Sequence, residues 1–246
     1  MAEHSANTHT RSTPEGAAET RYALYFAPPA QSPLWRFGCA VIGYDAESGS
    51  DLPAPQLARF NAAAWREITA APRRYGFHGT LKAPFRLAPG RTEAELRAAA
   101  RTFAAERPRF ACSGVEVAAI GRFLALGTVQ SCGALNRLAA GAVAAFDAFR
   151  APPTDMETAR RLRAALTPRQ QAYLRQWGYP YVLEEFRFHM TLTGALDEPE
   201  RAAALAELTE LFARSGADGP LIVGEVALYR QAGGPFRLLE RFPLAA

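Results

Sequence analysis

Apolar residues along the chain group into runs of two kinds, short strand-like stretches and longer segments at helical spacing. The stretch RYALYFAP, residues 21–28, reads as a strand closed by a Pro-Pro turn. A second apolar run, residues 37–44, follows a turn around Ser32 and Pro33, and residues 45–53 read as loop. Residues 55–70 set Leu57, Phe60, Ala64, Trp65 and Ile68 at helical spacing and are stopped by Pro72. Strand character returns across residues 78–85, and Thr92 then serves as N-cap for a helix reaching about Glu106. Residues 110–119 and 122–129 form two strands meeting at Ile120-Gly121, a hairpin signal. An apolar helix follows at 135–149. Next comes a helical pair at 156–166 and 168–177, the second opened by the Thr167 cap with Pro168 at its first position. Residues 186–194 are strand-like, 198–214 helical, and 221–229 and 236–242 are strands around Gly233-Gly234.

Strands and helices mix without steady β-α-β alternation, and hairpins are present. This order predicts an α+β fold with mainly antiparallel sheet. No short repeat is visible, but the chain echoes itself once: each half holds a strand with a nearly matching motif, followed by a helix.

Those motifs hold the only histidines outside the first twenty residues. One is Phe77-His78-Gly79-Thr80-Leu81-Lys82, the other Phe188-His189-Met190-Thr191-Leu192-Thr193. Both read Phe-His-x-Thr-Leu, a coincidence on the order of 1 in 10⁴ or rarer for this composition. A lone histidine on an apolar strand is usually structural. Two copies are not explained that way.

Strand side chains alternate with period two. His78, Thr80 and Lys82 should therefore share one face, with Phe77, Gly79 and Leu81 opposite. Likewise Arg187, His189, Thr191 and Thr193 should share a face, with Phe186, Phe188, Met190 and Leu192 opposite. Burying unpaired polar groups would cost about 1–3 kcal/mol each, so the polar faces are expected to line a solvated cleft. Such a set suits a phosphate. Of two imidazoles near their ordinary pKa, a neutral one can accept a proton from water while a protonated one gives a proton to the leaving alkoxide. Thr80, Thr191, Lys82 and Arg187 would donate to the non-bridging oxygens.

Competing chemistries lack their residues. Two histidines more than 100 positions apart, with no carboxylate on either shared face, fall short of a catalytic zinc site. No Gly-x-Ser-x-Gly elbow, no cysteine beside a histidine and no Gly-rich phosphate loop or dinucleotide fingerprint occurs. No metal or cofactor is expected.

Composition refines the picture in a few places. At 246 residues and 49% hydrophobic, the chain can bury a core without staples, as one bilobal unit over 21–246. Residues 1–20 are polar and lack the apolar core of a signal peptide; they read as a disordered leader, which discounts His4 and His9. No run reaches the ~18–20 apolar residues of a membrane span. The three cysteines, Cys39, Cys112 and Cys132, are odd in number and widely spaced, and each is expected to be a small buried hydrophobe in a reducing cytoplasm. A formal charge of +4 is mild and unclustered, which favours a small anionic substrate over nucleic acid, and a monomer is expected. Lys82 is the only lysine in an arginine-rich chain, which marks it for a compact, rotatable ammonium.

At its two motifs the chain resembles the 2H phosphoesterase superfamily, defined by paired His-x-Thr/Ser-hydrophobic motifs. The stretches RYALYFAP, RRYGFHGTLKAPFRL, WGYPYV and FRFHMTLTG resemble one branch, the phosphonate-metabolism proteins encoded beside carbon–phosphorus lyase genes. The resemblance implies a bilobal, pseudo-two-fold fold: two mainly antiparallel sheets with outer helices around a central cleft. It also implies a metal-free phosphodiesterase acting on a cyclic phosphate, with His78 and His189 catalytic and Thr80 and Thr191 binding phosphate. That branch suggests a cyclic ribose phosphate as substrate. Tyr25 and Tyr75 are further candidates for the cleft. The alternatives are an RNA 2′,3′-cyclic end as substrate, or a non-catalytic phosphosugar- or nucleotide-binding protein.

Overall fold

The computed structural model describes residues 19–163 and 165–246. Nearly all of the expected leader, with His4 and His9, lies outside the described residues.

In chain order the elements are β1 (Arg21–Phe26), α1 (Pro33–Ile42), β2 (Tyr44–Asp45), β3 (Ser50–Asp51), α2 (Ala62–Ile68), α3 (Ala70–Arg73), β4 (Gly79–Phe85) and α4 (Glu93–Ala105). The hairpin β5 (Phe110–Ile120) and β6 (Phe123–Thr128) leads into α5 (Gly133–Ala145), α6 (Asp155–Leu162) and α7 (Pro168–Trp177). Then come β7 (His189–Thr191), α8 (Glu198–Ala213), β8 (Pro220–Val223), β9 (Glu225–Gln231) and β10 (Arg237–Pro243).

The fold is α+β. Instead of two separate sheets, one eight-stranded sheet runs in the order β10-β9-β1-β4-β7-β6-β5-β8, and every neighbouring pair is antiparallel. The two expected lobes are its halves, joined edge to edge at β4 and β7. The echo in the sequence becomes a spatial one: the motif strands lie side by side at the centre. The helix following each motif strand packs on outer strands of its own half, α4 on β9 and β10, α8 on β5 and β6.

Local chemistry explains most boundaries. Thr92 and Thr167 form capping boxes with Glu95 and Gln170, satisfying amides that an α-helix leaves open at its start. The apolar run 37–44 is largely helix: Ser32 accepts from the Trp35 amide, Pro33 stands at the first position, and Gly43 ends it in the left-handed conformation. That helix sits directly on the first motif, because a Cβ on Gly38 would lie 2.2 Å from the Phe77 ring. The segment 55–70 is helical only from Ala62, where Asn61 provides the cap. The run 221–229 divides at Gly224 into β8 and β9, which pair with β5 and β1 in opposite halves of the sheet.

Cys112 and Cys132 form a disulfide, with Cα atoms 5.7 Å apart, and among the described residues only Cys39 is a free, buried thiol. This corrects the expectation of three unpaired cysteines. Cys112 lies on β5 and Cys132 is the N-cap residue of α5, so the hairpin fold closes a gap of 20 positions that linear spacing does not reveal. The thiol count therefore no longer argues for a reducing compartment. Among the described residues no helix is long and apolar enough to cross a membrane.

Candidate active site

The halves of the sheet meet through one register pair, Gly79 opposite Met190. In an antiparallel ladder each step forward on one strand is a step back on the other. Thr80 therefore falls opposite His189, and His78 opposite Thr191, with about 5 Å between Cβ atoms directly across. The four motif side chains alternate His–Thr around the seam on one face, while Gly79 and Met190 turn to the other. Gly79 has no room for a side chain there: a Cβ would come within 2.4 Å of the Phe188 ring.

The two histidines are held alike. His78 Nδ1 lies 2.8 Å from the Gly76 carbonyl oxygen, and His189 Nδ1 lies 2.8 Å from that of Arg187. A carbonyl oxygen only accepts, so each Nδ1–H donates, and in the neutral ring Nε2 keeps its lone pair. His78 Nε2 lies 3.2 Å from Thr80 Oγ1, whose hydroxyl donates to it. Burial pushes the His78 imidazole down to about pKa 4, against the opposing pull of the Gly76 carbonyl, with the nearby His189 adding to the fall. His189 is lowered as well, first by burial, against its bond to the Arg187 carbonyl and with the Arg187 charge adding to the fall. The Thr191 hydroxyl, half-buried, has no hydrogen-bond partner among the described residues.

Beside His189 and Thr80 opens a cavity of about 630 Å³. Leu81, Ala83, Ala139 and Val143 supply apolar lining, Phe123, Tyr179, Tyr181 and Phe186 supply rings, and Arg122 and Arg187 are exposed at it. Glu185, the one acid lining it among the described residues, accepts from Gln170 Nε2 at 2.8 Å. Tyr179 and Tyr181 stand in the WGYPYV stretch but were not among the expected site residues; their alternation on either side of Pro180 was the available signal. Arg122 and Phe123, at the hairpin after Gly121, carried none.

Other expected residues lie elsewhere. Lys82 does not line the cavity. Its side chain is buried, and its ammonium donates to Asp147 Oδ1 at 2.9 Å and to the Val143 carbonyl at 3.0 Å, tying β4 to the end of α5. The register explains it: Tyr25 faces Thr80 while Leu24 faces Lys82, so β4 carries an extra residue there, Leu81, and alternation breaks between Thr80 and Lys82; a second extra residue follows between Lys82 and Phe85. Tyr25 is fully buried and stacks flat on His78, ring centroids 3.7 Å apart, and is not part of the cavity lining. Tyr75 stands 6.4 Å from His78, packs on Phe236 and is not part of the cavity lining. Thr193 is buried and structural, its hydroxyl accepting from the Leu124 amide at 2.9 Å and donating to the Gly194 carbonyl.

Residues 80–237 match the family model described as "Protein of unknown function (DUF1045)". The chain belongs to this DUF1045 family. The matched span opens at Thr80 and includes the whole second motif. Among curated relatives of this DUF1045 chain, "Ribose 1,5-bisphosphate phosphokinase PhnN" of Janthinobacterium sp. (strain Marseille) is 38% identical over 231 residues, 92% of this chain and 51% of its own length. The protein of the same name from Laribacter hongkongensis is 39% identical over 224 residues, 89% of this chain and 50% of its own. The chain thus spans about half the length of these relatives. Among solved structures, E. coli LigT in apo form aligns at TM-score 0.43 and 18% identity, covering 93% of this chain and 100% of that one. TT0787 of Thermus thermophilus aligns at TM-score 0.41 and 16% identity, covering 91% and 97%. At these distances the chemistry of this DUF1045 chain has to be read from its own site.

Proposed function

We propose that this chain is a metal-independent phosphoesterase that opens a small cyclic phosphate, with His78 and His189 as its acid–base pair. The observation that carries the reading is the Gly79–Met190 register, which sets each motif histidine across from the other motif's threonine. A phosphate over the seam would receive the Thr80 and Thr191 hydroxyls on its non-bridging oxygens, with Arg187 reaching from the cavity rim. Two Nε2 atoms on either side of that phosphate suit in-line displacement. Water attacks phosphorus and gives a proton to one imidazole; the bond to the leaving ester oxygen breaks, and that oxygen takes a proton from the other. Burial holds both imidazoles towards the neutral form. The charge of a bound phosphodiester raises both, and supplies the protonated partner.

A cyclic ribose phosphate is the substrate class favoured for this site, in phosphonate metabolism. The relatives' name speaks of a ribose bisphosphate. It also speaks of a kinase, but those proteins are about twice as long, and this sequence has no Gly-rich phosphate loop. The aromatic walls of the cavity, Phe123, Tyr179 and Tyr181, favour a second substrate, a nucleoside 2′,3′-cyclic phosphate whose base could stack there.

Phosphorus NMR of the purified protein in EDTA tests this against a 2′,3′-cyclic nucleotide, an RNA oligomer with that terminus and 5-phosphoribosyl 1,2-cyclic phosphate. Ring opening of at least one, absent in His78→Ala, is expected. Opening that occurs only with added metal would remove the two-histidine mechanism.

A further inference from the structure

The motif histidines share a backbone hydrogen bond but not their surroundings. His78 lies against the Tyr25 ring at 3.7 Å between centroids and 19° between planes, a face-to-face stack. The ring beside His189, Phe123, is 5.7 Å away and tilted by 49°. Tyr25 is wholly buried, faces Thr80 in the sheet register, and is backed by the Tyr229 ring at 4.9 Å. Its hydroxyl is a buried polar atom without a hydrogen-bond partner among the described residues. A buried unpaired hydroxyl costs stability, so what Tyr25 offers the site is its ring.

We propose that Tyr25 is a positioning residue for the phosphoester reaction: its ring fixes the plane of His78 so that Nε2 bears on the phosphate, and stabilises the imidazolium formed when His78 takes the proton of attacking water. The proposal rests on the two-histidine reading above, and it gives the pair a direction. The cavity that would hold the body of the substrate is lined by His189 and not by His78. On ring opening the leaving oxygen stays attached to that body, on the side of His189, whose Nε2–H protonates it. Water enters opposite, its oxygen bonding to phosphorus and its proton passing to His78 Nε2 as the ester bond breaks.

Among the described residues the groups facing His78 are Tyr25 from β1, Tyr229 from β9 at 6.3 Å, Tyr75 from the preceding loop, Thr80 from β4, and Thr191 and His189 across the seam. None is a carboxylate. The imidazolium is therefore supported by the Gly76 carbonyl and by an aromatic face, to which a cation is attracted and a neutral ring much less so.

Ring-nitrogen NMR titration of both histidines separates this from mere packing, using wild type, Tyr25→Phe and Tyr25→Leu with inorganic phosphate as probe. Tyr25→Phe should keep the titration of His78, and turnover within about twofold, because the ring remains. Tyr25→Leu should make His78 protonate about half a pH unit lower or more while His189 stays put. It should also lower kcat by about ten- to a hundredfold with little change in KM, as misaligned catalytic groups do. An unmoved His78 titration and tautomer in a folded Tyr25→Leu protein would overturn the proposal, as would equal losses in both variants. If wild type opens no phosphoester, the functional reading fails, and the phosphate-bound titration still judges the role of Tyr25.

Discussion

Gly79 and Met190 face each other at the centre of the sheet, and that one pair brings motifs more than 100 residues apart into a single alternating His–Thr cluster. The flanking ladders β1–β4 and β6–β7 hold it in register from both sides.

Removing either imidazole should stop turnover without unfolding the protein. His78→Ala and His189→Ala are each expected to lower kcat by about 10²–10⁴-fold, the usual worth of a positioned acid or base. Thermal melts should show both variants folded. Full activity in one of the two would sink the paired mechanism.

The pH profile should be bell-shaped and displaced to the acid side. With His78 as base, kcat/KM falls as His78 protonates, giving an acid limb at about 4 in the free enzyme. With His189 as acid, activity is lost as it deprotonates, and its lowered pKa puts the alkaline limb below the ordinary histidine value of 6.5. Stability shifts with pH as well. The unfolded chain binds a proton on His78 near pH 6.5 and the folded one only near 4, so stability falls as pH drops through that window. A His78→Gln variant should lose that part of the acid sensitivity in pH-dependent melts.

Lys82→Met should cost stability and spare substrate affinity. The Lys82 side chain is 4% exposed in its pair with Asp147, and loss of its ammonium leaves the Val143 carbonyl without that donor, although Arg150 still holds Asp147 at 2.9 Å. A loss of about 1–3 kcal/mol in denaturant unfolding is expected, with KM changed little. A large rise in KM at unchanged stability would restore Lys82 to the phosphate.

Thiol titration of the unfolded, unreduced protein should find one reactive cysteine, Cys39, and three after reduction. Reduction, or Cys112→Ser with Cys132→Ser, is expected to lower stability by about 2–4 kcal/mol. Three free thiols without reductant would show the pair open in solution.

The sequence made the centre of this molecule legible and its edges less so. The duplicated Phe-His-x-Thr-Leu run located both seam strands, because a local pattern sets strand character and facing. Thr92, Thr167 and Pro168 announced helix starts because capping is local chemistry. What escaped depends on partners distant in sequence. The Cys112–Cys132 bond needs the β5–β6 hairpin already folded. The parting of β8 from β9 at Gly224 is decided by which half each strand joins, and the extra residue in β4 shows only against β1. Tyr25 looked like a cleft residue since strand parity gives a face but not depth; His78 covers it.

The extra residue at Leu81 also divides one strand between two duties. Ahead of it, Thr80 faces the seam between the two motifs; behind it, Lys82 anchors the scaffold through Asp147. The mismatch belongs to β1 as much as to β4. One residue inserted between Leu24 and Tyr25 would give Leu81 a partner, restore alternation from Thr80 to Lys82, and turn the chain's sole lysine to the side of Thr80, leaving the second irregularity between Lys82 and Phe85 in place. An internal strut would become another cation at the seam. Strand length here, as much as residue identity, sets how much positive charge lines the seam, so a one-codon insertion in the neighbouring strand is a direct way to test whether that charge governs the proposed phosphate binding.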